Sequence, residues 1–172
     1  AKWKESGVRA TWTLCVVERR APAVAFDVVV SNATLLWIAD HRNLLPRLMS
    51  HVADGGTLAF QVPRNFDAPS HVLMRDVAAS GPWAQKLANA RQVNVLSPDA
   101  YFDILAPLAR SVDIWETTYL HVLEGDDPVL AWVSGTGLRP FVQPLDPGER
   151  EVFIARYRAA LREAYPRRAD GT

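Results

Sequence analysis

Two polar stretches lie where apolar runs end, and their side chains are of types that bind ligands at strand ends. The tripeptide Ser-Asn-Ala at 31–33 follows the apolar run Phe26–Val30, and the polar stretch 61–65 closes the run Thr57–Val62. Small residues let a ligand approach the backbone, and an Asn carboxamide both donates and accepts hydrogen bonds. The same residue types favour a simple turn, so a ligand site and a turn both stay open here.

Nucleophiles, bases and metal ligands form no well-supported group in this sequence. Ser70, His71 and Asp76 are the residue types of a hydrolytic triad, but only their types support that interpretation. Cys15 is the single cysteine, which excludes an internal disulfide and a cysteine-based metal site. We therefore predict no metal, and the lone cysteine favours a reducing cytoplasm.

The composition is that of one ordinary domain with balanced charge. The chain has 172 residues and a formal net charge of +0, from 19 Lys and Arg against 19 Asp and Glu. Balanced charge argues against nucleic acid or an anionic membrane as the partner. No apolar run reaches transmembrane length either. We expect a monomer.

The apolar pattern predicts a strand, a helix and a second strand in the middle of the chain. Phe26–Val30 is a β-branched run, typical of a strand that helices cover on both faces. Asp40 is predicted to cap a helix that continues through Val52 and ends at the Gly-containing stretch 54–56. Thr57–Val62 is the second strand. Such short connections predict a parallel, buried pair.

The rest of the chain is predicted to contain both helices and strands. The other predicted elements are a short irregular strand at Thr11–Val17, helices over Ser70–Ala79, from Ser97-Pro98, over Pro128–Val133 and from Pro147 onward, and a long strand at Val112–Leu123. His41 follows the predicted cap Asp40, and we predict a surface position for it.

Several motifs together point to a family. The segments FDVVVSNATLLWIADH, GGTLAFQVPRNFDAPSH, DIWETTYLH, VLAWVSGTGLRPF and AYPRRADG resemble the trans-aconitate 2-methyltransferases, which are class I S-adenosylmethionine-dependent enzymes. The resemblance runs from about Phe26 to Thr172 in the family's order and spacing. The WETTYLH and GTGLRP pieces are its most specific parts, whereas a strand followed by Ser-Asn-Ala is common among methyltransferases.

The resemblance implies an α/β fold that is only part of a class I, Rossmann-like sheet, with helices on both faces and a helical substrate cap. One partial domain would span 1–172, with a poorly matching stretch 1–25, a core 26–63, a cap 64–109 and a strand with C-terminal helices over 110–172. The family's Gly-rich cofactor loop, its acidic ribose-binding residue and its closing strand have no match. The chain therefore resembles the second half of the family, truncated at both ends.

The resemblance also implies S-adenosylmethionine as cofactor and a small polycarboxylate as substrate. Asn32 and Ala33 would line the cofactor side of the cleft, and Trp37 would pack near it, with core packing under the helix as the favoured role. A carboxylate oxygen would attack the sulfonium methyl directly, and since it is already ionised near neutral pH it needs no general base. No catalytic residue is then predicted beyond those that align the reactants.

Aligning carboxylates calls for arginine, whose planar fork matches their geometry. By the resemblance, the substrate-binding residues are Asn65, Ser70, His71, Tyr119, Arg139 and Arg168. Alternatives stay open: a solvated surface role for each arginine, and a core pair for Tyr119 with His121. Trp83 is predicted to pack in the core, with a lid over the cleft as its alternative.

Two other functions are alternatives to methylation of trans-aconitate by this chain. One is a non-catalytic remnant that cannot bind the cofactor alone, and the other is methylation of a different small acid.

Overall fold

The computed structural model describes residues 10–90, 93–135 and 137–172 and shows a mixed α/β chain. Two strands, β1 (Phe26–Asn32) and β2 (Val52–Gln61), form one sheet. The helices are α1 (His41–Met49), α2 (Pro69–Ser80), α3 (Ala84–Leu87), α4 (Pro98–Leu105), α5 (Pro128–Ser134), α6 (Arg139–Val142) and α7 (Pro147–Ala164), with 3-10 turns at Val17–Arg19 and Leu35–Trp37. The predicted helices that became α2, α4, α5 and α7 are confirmed.

The two strands pair in parallel, as predicted. Val28 lies opposite Thr57, and the register continues to Asn32 opposite Gln61. An irregularity precedes this run, between Phe26 and Val28. There Gly55 has a φ of +77°, and a Cβ on Gly56 would meet the carbonyl oxygen of Asp27 at 2.6 Å. Glycine is required at these positions by backbone geometry and by the close approach of β1.

The predicted end of α1 is wrong. Helix α1 stops at Met49, where the backbone N–H of Ser50 donates to the carbonyl of Pro46. The chain enters β2 at Val52, so the stretch 54–56 is a bulge within a strand and not a helix end. Both interpretations use glycine at positive φ, and residue type alone did not separate them.

Helix α1 is positioned by its cap and by one apolar face. The carboxylate of Asp40 accepts the backbone N–H of Asn43 at 3.1 Å. Leu44, Leu45 and Leu48 form the buried apolar face of α1. His41 is buried as well, with 2% of its surface exposed, so its predicted surface position is wrong. It lies three, four and seven residues before those leucines and therefore shares their face.

Only one face of the sheet is covered by the described residues. Leu58 and Phe60 of β2 pack against the core of α1 and α4. On β1, Val28 and Val30 are 57% and 71% exposed. The prediction of a buried pair with helices on both faces is therefore wrong for these residues. The β-branched sequence of β1 indicates apolar residues on both faces of the strand, but it does not indicate which elements cover those faces.

A helical core holds the second half of the chain together. Its buried members are Met74, Ala78, Trp83, Leu87, Leu130, Val133, Leu138, Leu145, Phe153, Tyr157 and Leu161. The indole of Trp83 is fully buried, donates to the carbonyl of Val77 at 2.9 Å and packs edge-on against Phe153. Trp83 is therefore a packing residue. Helix α7 begins with a reciprocal cap between Asp146 and Glu149.

Two predicted strands are absent from the described residues. The segment 111–124 contains neither helix nor strand, and Trp115, Leu120 and Val122 are at least 74% exposed. No backbone hydrogen bond joins this segment to another described residue. Thr11–Val17 likewise is not a strand and ends in a 3-10 turn. Aromatic and β-branched composition favours a strand only where a neighbouring strand supplies the ladder.

The one-sided sheet predicts unequal effects of apolar substitutions. Replacing Leu45, which is 0% exposed, with Ala should lower the free energy of unfolding by about 2–5 kcal/mol, because it leaves a cavity. The double change Val28→Thr and Val30→Thr keeps the β-branched shape on an exposed face, and should cost less than about 1 kcal/mol. Urea unfolding measures both, and an equal loss in the two variants would contradict the one-sided sheet.

Candidate functional site

The polar stretches after the two strands meet in space. The backbone N–H of Ala33 donates to the carbonyl of Gln61 at 3.0 Å, so the carboxyl ends of β1 and β2 are joined. Ala33 has a φ of +48°, a left-handed conformation that is uncommon for a residue with a side chain. The hydroxyl of Thr34 donates back to the carbonyl of Asn32 at 3.0 Å. A sharp turn at the strand end results.

This turn leaves the side chain of Asn32 facing outward. Asn32 is exposed, and its carboxamide has no hydrogen-bond partner within the described part of the chain. Trp37, in the following 3-10 turn, is half-buried. The stretch is thus both a turn and an exposed set of hydrogen-bonding groups, and the two interpretations of the sequence are compatible.

A buried hydrogen-bond network fixes the loop behind the turn. The Nε2 atom of His41 lies 2.8 Å from the carbonyl oxygen of Leu35, and its Nδ1 atom lies 2.7 Å from the hydroxyl of Tyr101. A carbonyl only accepts, so Nε2 carries a proton and the Tyr101 hydroxyl can donate to Nδ1. The Tyr101 oxygen in turn accepts the backbone N–H of Leu96 at 3.2 Å.

Ring packing supports the same network. The rings of His41 and Tyr101 are stacked with centroids 5.7 Å apart, and Phe60 of β2 meets Tyr101 edge-on at 5.3 Å. Burial raises the pKa of the Tyr101 hydroxyl, which keeps it protonated as a donor. Sequence reasoning missed His41, although its helical spacing to three buried leucines was a signal that could have identified it.

A cavity of about 200 Å³ opens after the end of β2. Arg64 and Phe66 line it on one side, and Val95, Leu96 and Ser97 line it before α4. The guanidinium of Arg64 pairs with Glu116 at 2.7 Å across the exposed surface. Arg64 therefore carries a positive charge at the cavity, already partly offset by a carboxylate.

Two tyrosines hold the N-terminus of α2. The hydroxyl of Tyr157 donates to the carbonyl of Ser70 at 2.7 Å, and the N–H of Ser70 donates to the hydroxyl of Tyr165 at 3.1 Å. Burial, and secondarily the neighbouring Tyr165, raises the pKa of Tyr157, so it stays a donor. Ser70 is itself buried, and its hydroxyl lies 3.3 Å from Nδ1 of His71.

His71 faces the loop that carries Arg139. A Cβ placed on Gly137 would lie 3.8 Å from Nε2 of His71, and Arg139 follows two residues later as the first residue of α6. Burial, and secondarily Arg75, lowers the pKa of His71 below its ordinary value of 6.5. The imidazole is therefore a neutral hydrogen-bonding group near neutral pH. Arg139 is exposed, and its guanidinium forms no ion pair or hydrogen bond with any described residue.

The structure does not join the remaining predicted site residues to this group. Tyr119 is 74% exposed, and its ring contacts His121, which in turn contacts Trp132. A buried core pair of Tyr119 and His121 is therefore not what forms. Arg168 is exposed in the C-terminal tail, where its N–H donates to the carbonyl of Thr172 at 2.8 Å. Asn65 is half-buried, and its carbonyl accepts the N–H of Ala68.

Two further classes of site were examined in the described ranges. No group of three or more His, Cys, Asp or Glu residues there is placed to hold a metal ion. None of the helices in those ranges combines the length and the apolar character needed to cross a membrane.

The chain is similar to curated proteins that share one name. A trans-aconitate 2-methyltransferase of Streptomyces avermitilis is 51% identical over 164 residues, which cover 94% of this chain and 58% of that protein. The protein of that name from Azoarcus sp. is 43% identical over 171 residues, 99% of this chain and 63% of its own length. The one from Methylobacterium radiotolerans is 47% identical over 166 residues, 94% of this chain and 61% of its own length.

These similarities confirm the resemblance read from the motifs. The chain spans about three fifths of the length of the relatives it matches, since the covered share is 58% to 63%. The Azoarcus alignment covers 99% of the chain, so it includes nearly all of residues 1–25, before the quoted motifs begin. No family model matches the chain.

The buried network predicts a specific loss of stability. Tyr101→Phe removes the hydroxyl that pairs with His41 and with the N–H of Leu96. Leaving these groups unpaired should lower the free energy of unfolding by about 1–3 kcal/mol. Tyr119→Phe is the matched control, because that tyrosine is exposed, and it should change stability by less than about 0.5 kcal/mol. Urea unfolding that ranks the two variants equally would exclude the network as a stabilising element.

The lowered pKa of His71 predicts a pH dependence of stability. The unfolded chain binds more protons than the folded chain between the folded pKa and the ordinary value of 6.5. Stability should therefore fall as the pH drops through about 6.5, and this contribution should level off below the folded pKa. His71→Gln removes the contribution, so thermal denaturation from about pH 7.5 to pH 5 should show a shallower decline. An unchanged decline in the variant would rule out His71 as a source.

Proposed function

We infer that this chain is part of a trans-aconitate 2-methyltransferase and propose that the whole protein methylates a carboxylate of trans-aconitate, or of a similar small polycarboxylate, with S-adenosylmethionine. The observation that carries the proposal is the alignment of most of the chain with proteins of that name, at 43% to 51% identity. The joined carboxyl ends of the parallel strands support it, because ligands of open α/β sheets bind at such ends.

The strand end fits one side of a cofactor pocket. We propose that Asn32, Ala33 and Trp37 line the cofactor. The unpaired carboxamide of Asn32 supports this role, and so does the small side chain of Ala33, at which the chain turns away from the strand end. When bound, S-adenosylmethionine supplies an electrophilic methyl group on a positively charged sulfur. The proposed work of these residues is to hold the cofactor in one orientation and to keep water from its face.

Substrate alignment is the second proposed task of the chain. A carboxylate is ionised near neutral pH, so no residue has to remove a proton from it. We propose that Arg139 binds one substrate carboxylate through its free guanidinium, and that Ser70 and His71 add hydrogen bonds from the rigid N-terminus of α2. Support comes from the nearness of His71 to Gly137 and from the two tyrosines that hold Ser70. The neutral imidazole can donate a hydrogen bond to a carboxylate without titrating near pH 7.

The other proposed substrate residues have weaker support. Arg168 lies three residues after Tyr165, whose hydroxyl is bound to Ser70, so its tail begins at the proposed site. Asn65 lies in sequence between Arg64 and Phe66, which both line the 200 Å³ cavity. Tyr119 lies on the exposed segment 111–124, and its proposed role requires that segment to move or to be covered.

The uncovered face of the sheet supports a larger fold. Val28 and Val30 are exposed apolar residues on β1, and an apolar face of this kind is normally covered in a complete α/β sheet. We propose that the chain is one partial class I methyltransferase domain, subdivided at 1–25, 26–63, 64–109 and 110–172. We further propose that the complete sheet includes strands from the rest of the protein, and that the protein is cytoplasmic.

A second candidate is a non-catalytic remnant, favoured by the openness of the strand end. Asn32 and Ala33 are exposed, so the chain encloses little of a cofactor by itself. We expect the 172-residue chain to bind S-adenosylhomocysteine only weakly, because a ligand held on one side keeps most of its water contacts. Isothermal titration calorimetry tests this, and micromolar affinity would show that the chain alone forms a working cofactor site.

The role of Arg139 predicts a graded loss of substrate affinity. In a relative whose aligned residue is arginine, Arg139→Ala should raise KM for trans-aconitate by about thirtyfold, since it removes a charged hydrogen bond worth roughly 2 kcal/mol. Arg139→Lys should lose much of the same affinity, because lysine keeps the charge but not the two-pronged geometry.

The exposed Arg110 provides the matched control. Arg110→Ala at its aligned position should leave KM unchanged. If Arg139→Ala left KM unchanged in a folded enzyme, Arg139 would be an ordinary surface residue.

A further inference from the structure

A second cavity lies at the opposite end of the sheet from the candidate site. Its volume is about 320 Å³, and it is lined by Ala21–Ala25, Arg47, Ser50 and His51. The N–H of Phe26, the first residue of β1, donates to the carbonyl of His51 at 2.9 Å, which joins the two stretches that line the cavity. The seven residues of β1 rise about 3.3 Å each, so this cavity is roughly 20 Å from the turn at Ala33.

Two basic side chains line this cavity and a third basic residue lies beside it, with its guanidinium donating to the Cys15 sulfur at 3.7 Å. Arg47 of α1 and His51 line it, and Arg20 lies immediately before its wall. One nitrogen of the Arg47 guanidinium donates to the carbonyl of Arg20 at 3.0 Å, which draws the two residues together. All three residues are half-buried. The cluster is therefore held in place by the backbone and is not a set of free surface side chains.

No carboxylate balances this charge within the described ranges. The ion pairs there involve Arg64, Lys86, Arg158 and Arg162, and none includes Arg20, Arg47 or His51. Burial lowers the pKa of His51, and the charges of Arg47 and Arg20 lower it further, with no acidic group acting on it. Glu18, in the preceding 3-10 turn, is exposed. Like charges gathered without a partner are unfavourable unless an anion joins them.

The lining also has an apolar side. The stretch 21–25 reads Ala-Pro-Ala-Val-Ala, and Val24 is 69% exposed next to the cavity. A cavity with an apolar wall and a basic wall suits a ligand that has both an anionic group and an apolar group. An oxyanion group would face Arg47 and His51, and an apolar group would lie against the alanines.

We propose that this cavity is a binding site for an organic oxyanion, a carboxylate or a phosphate ester that carries an apolar group. Arg47 binds the anionic oxygens through the guanidinium nitrogens left free by its bond to Arg20. His51 donates a hydrogen bond once the anion is present, and Arg20 adds charge from the rim. The site is separate from the proposed methyl-transfer site and does not depend on that function.

The test follows the imidazole of His51 by NMR. The chain has four histidines, and His51→Gln identifies the signal that belongs to His51. The pKa of His51 is measured at constant ionic strength in chloride, and then with inorganic phosphate, phenyl phosphate or benzoate. A bound anion should raise this pKa, because it stabilises the protonated imidazole. Phenyl phosphate should bind more tightly than inorganic phosphate if the apolar wall contributes.

Two arginine variants separate a built site from general charge. Arg47→Ala should weaken anion binding by about tenfold or more, since it removes charge-assisted hydrogen bonds. Arg42→Ala is the matched control, because Arg42 is an exposed residue of the same helix and does not line the cavity. It should bind anions as the unmodified chain does.

The two aromatic anions distinguish the class of ligand. Tighter binding of benzoate identifies a carboxylate ligand, and tighter binding of phenyl phosphate identifies a phosphate ester. The proposal is overturned if no anion moves the pKa of His51, or if Arg47→Ala shows the same rise as the unmodified chain. Unchanged signals from the other histidines establish that each variant is folded.

Discussion

The buried contact between His41 and Tyr101 is the interaction on which the geometry of the strand end depends. Three elements meet through it: the loop after β1 at Leu35, the start of α1 and the face of α4. Buried polar groups are costly unless each has a partner. The network gives each of these groups a partner, so it holds the loop that follows the turn at Asn32 against α1 and α4.

The same interaction brings residues that are distant in sequence together behind the proposed cofactor residues. Residue 41 is nine positions after Asn32, and Tyr101 lies on a helix far along the chain. Because Phe60 packs against Tyr101, the network also touches β2. The turn at Asn32 and Ala33 is thus supported by packing behind it, and the carboxamide of Asn32 is exposed. That carboxamide remains available to a ligand.

The polar groups of the network are buried and paired, whereas one apolar face of the sheet is exposed and no described element covers it. Val28 and Val30 face outward from β1, and the segment 111–124 carries exposed aromatic and aliphatic side chains outside any strand. The relatives are longer than this chain, which spans about three fifths of their length. Both exposed regions are explained together if helices of the whole protein cover the outer face of β1 and strands of the whole protein pair with the segment 111–124, as the proposed larger sheet requires.

Local signals predicted α2, α4, α5, α7 and the start of α1, but they did not predict the short helices α3 and α6. Asp40, Ser97 and Asp146 cap helices in the structure, and Pro98 and Pro147 occupy first helical positions. The parallel pairing of β1 and β2 was also predictable from short connections. These features depend on residues close in sequence.

The errors concern features set by distant residues. Segment 112–123 has strand-like composition but pairs with no described strand. No described helix covers the outer face of β1, although its apolar residues imply one. His41 was misplaced because its position after a cap was weighed above its spacing to the buried leucines. The site is predictable to a similar degree. Its strand-end turn follows from small residues, whereas the two tyrosines that hold Ser70 come from a helix and a tail more than eighty residues away.

Under the proposed function, this chain carries residues of both the substrate site and the cofactor site of a trans-aconitate methyltransferase, and the rest of the whole protein completes them. A hybrid protein tests this directly: it joins the chain to the portion of the Streptomyces avermitilis protein that the alignment leaves uncovered, in the order found there. Transfer of labelled methyl groups from S-adenosylmethionine to trans-aconitate is then assayed. We expect transfer by the hybrid and none by the chain alone. A folded hybrid that binds S-adenosylhomocysteine but methylates no trans-aconitate would show that the chain does not carry the substrate residues.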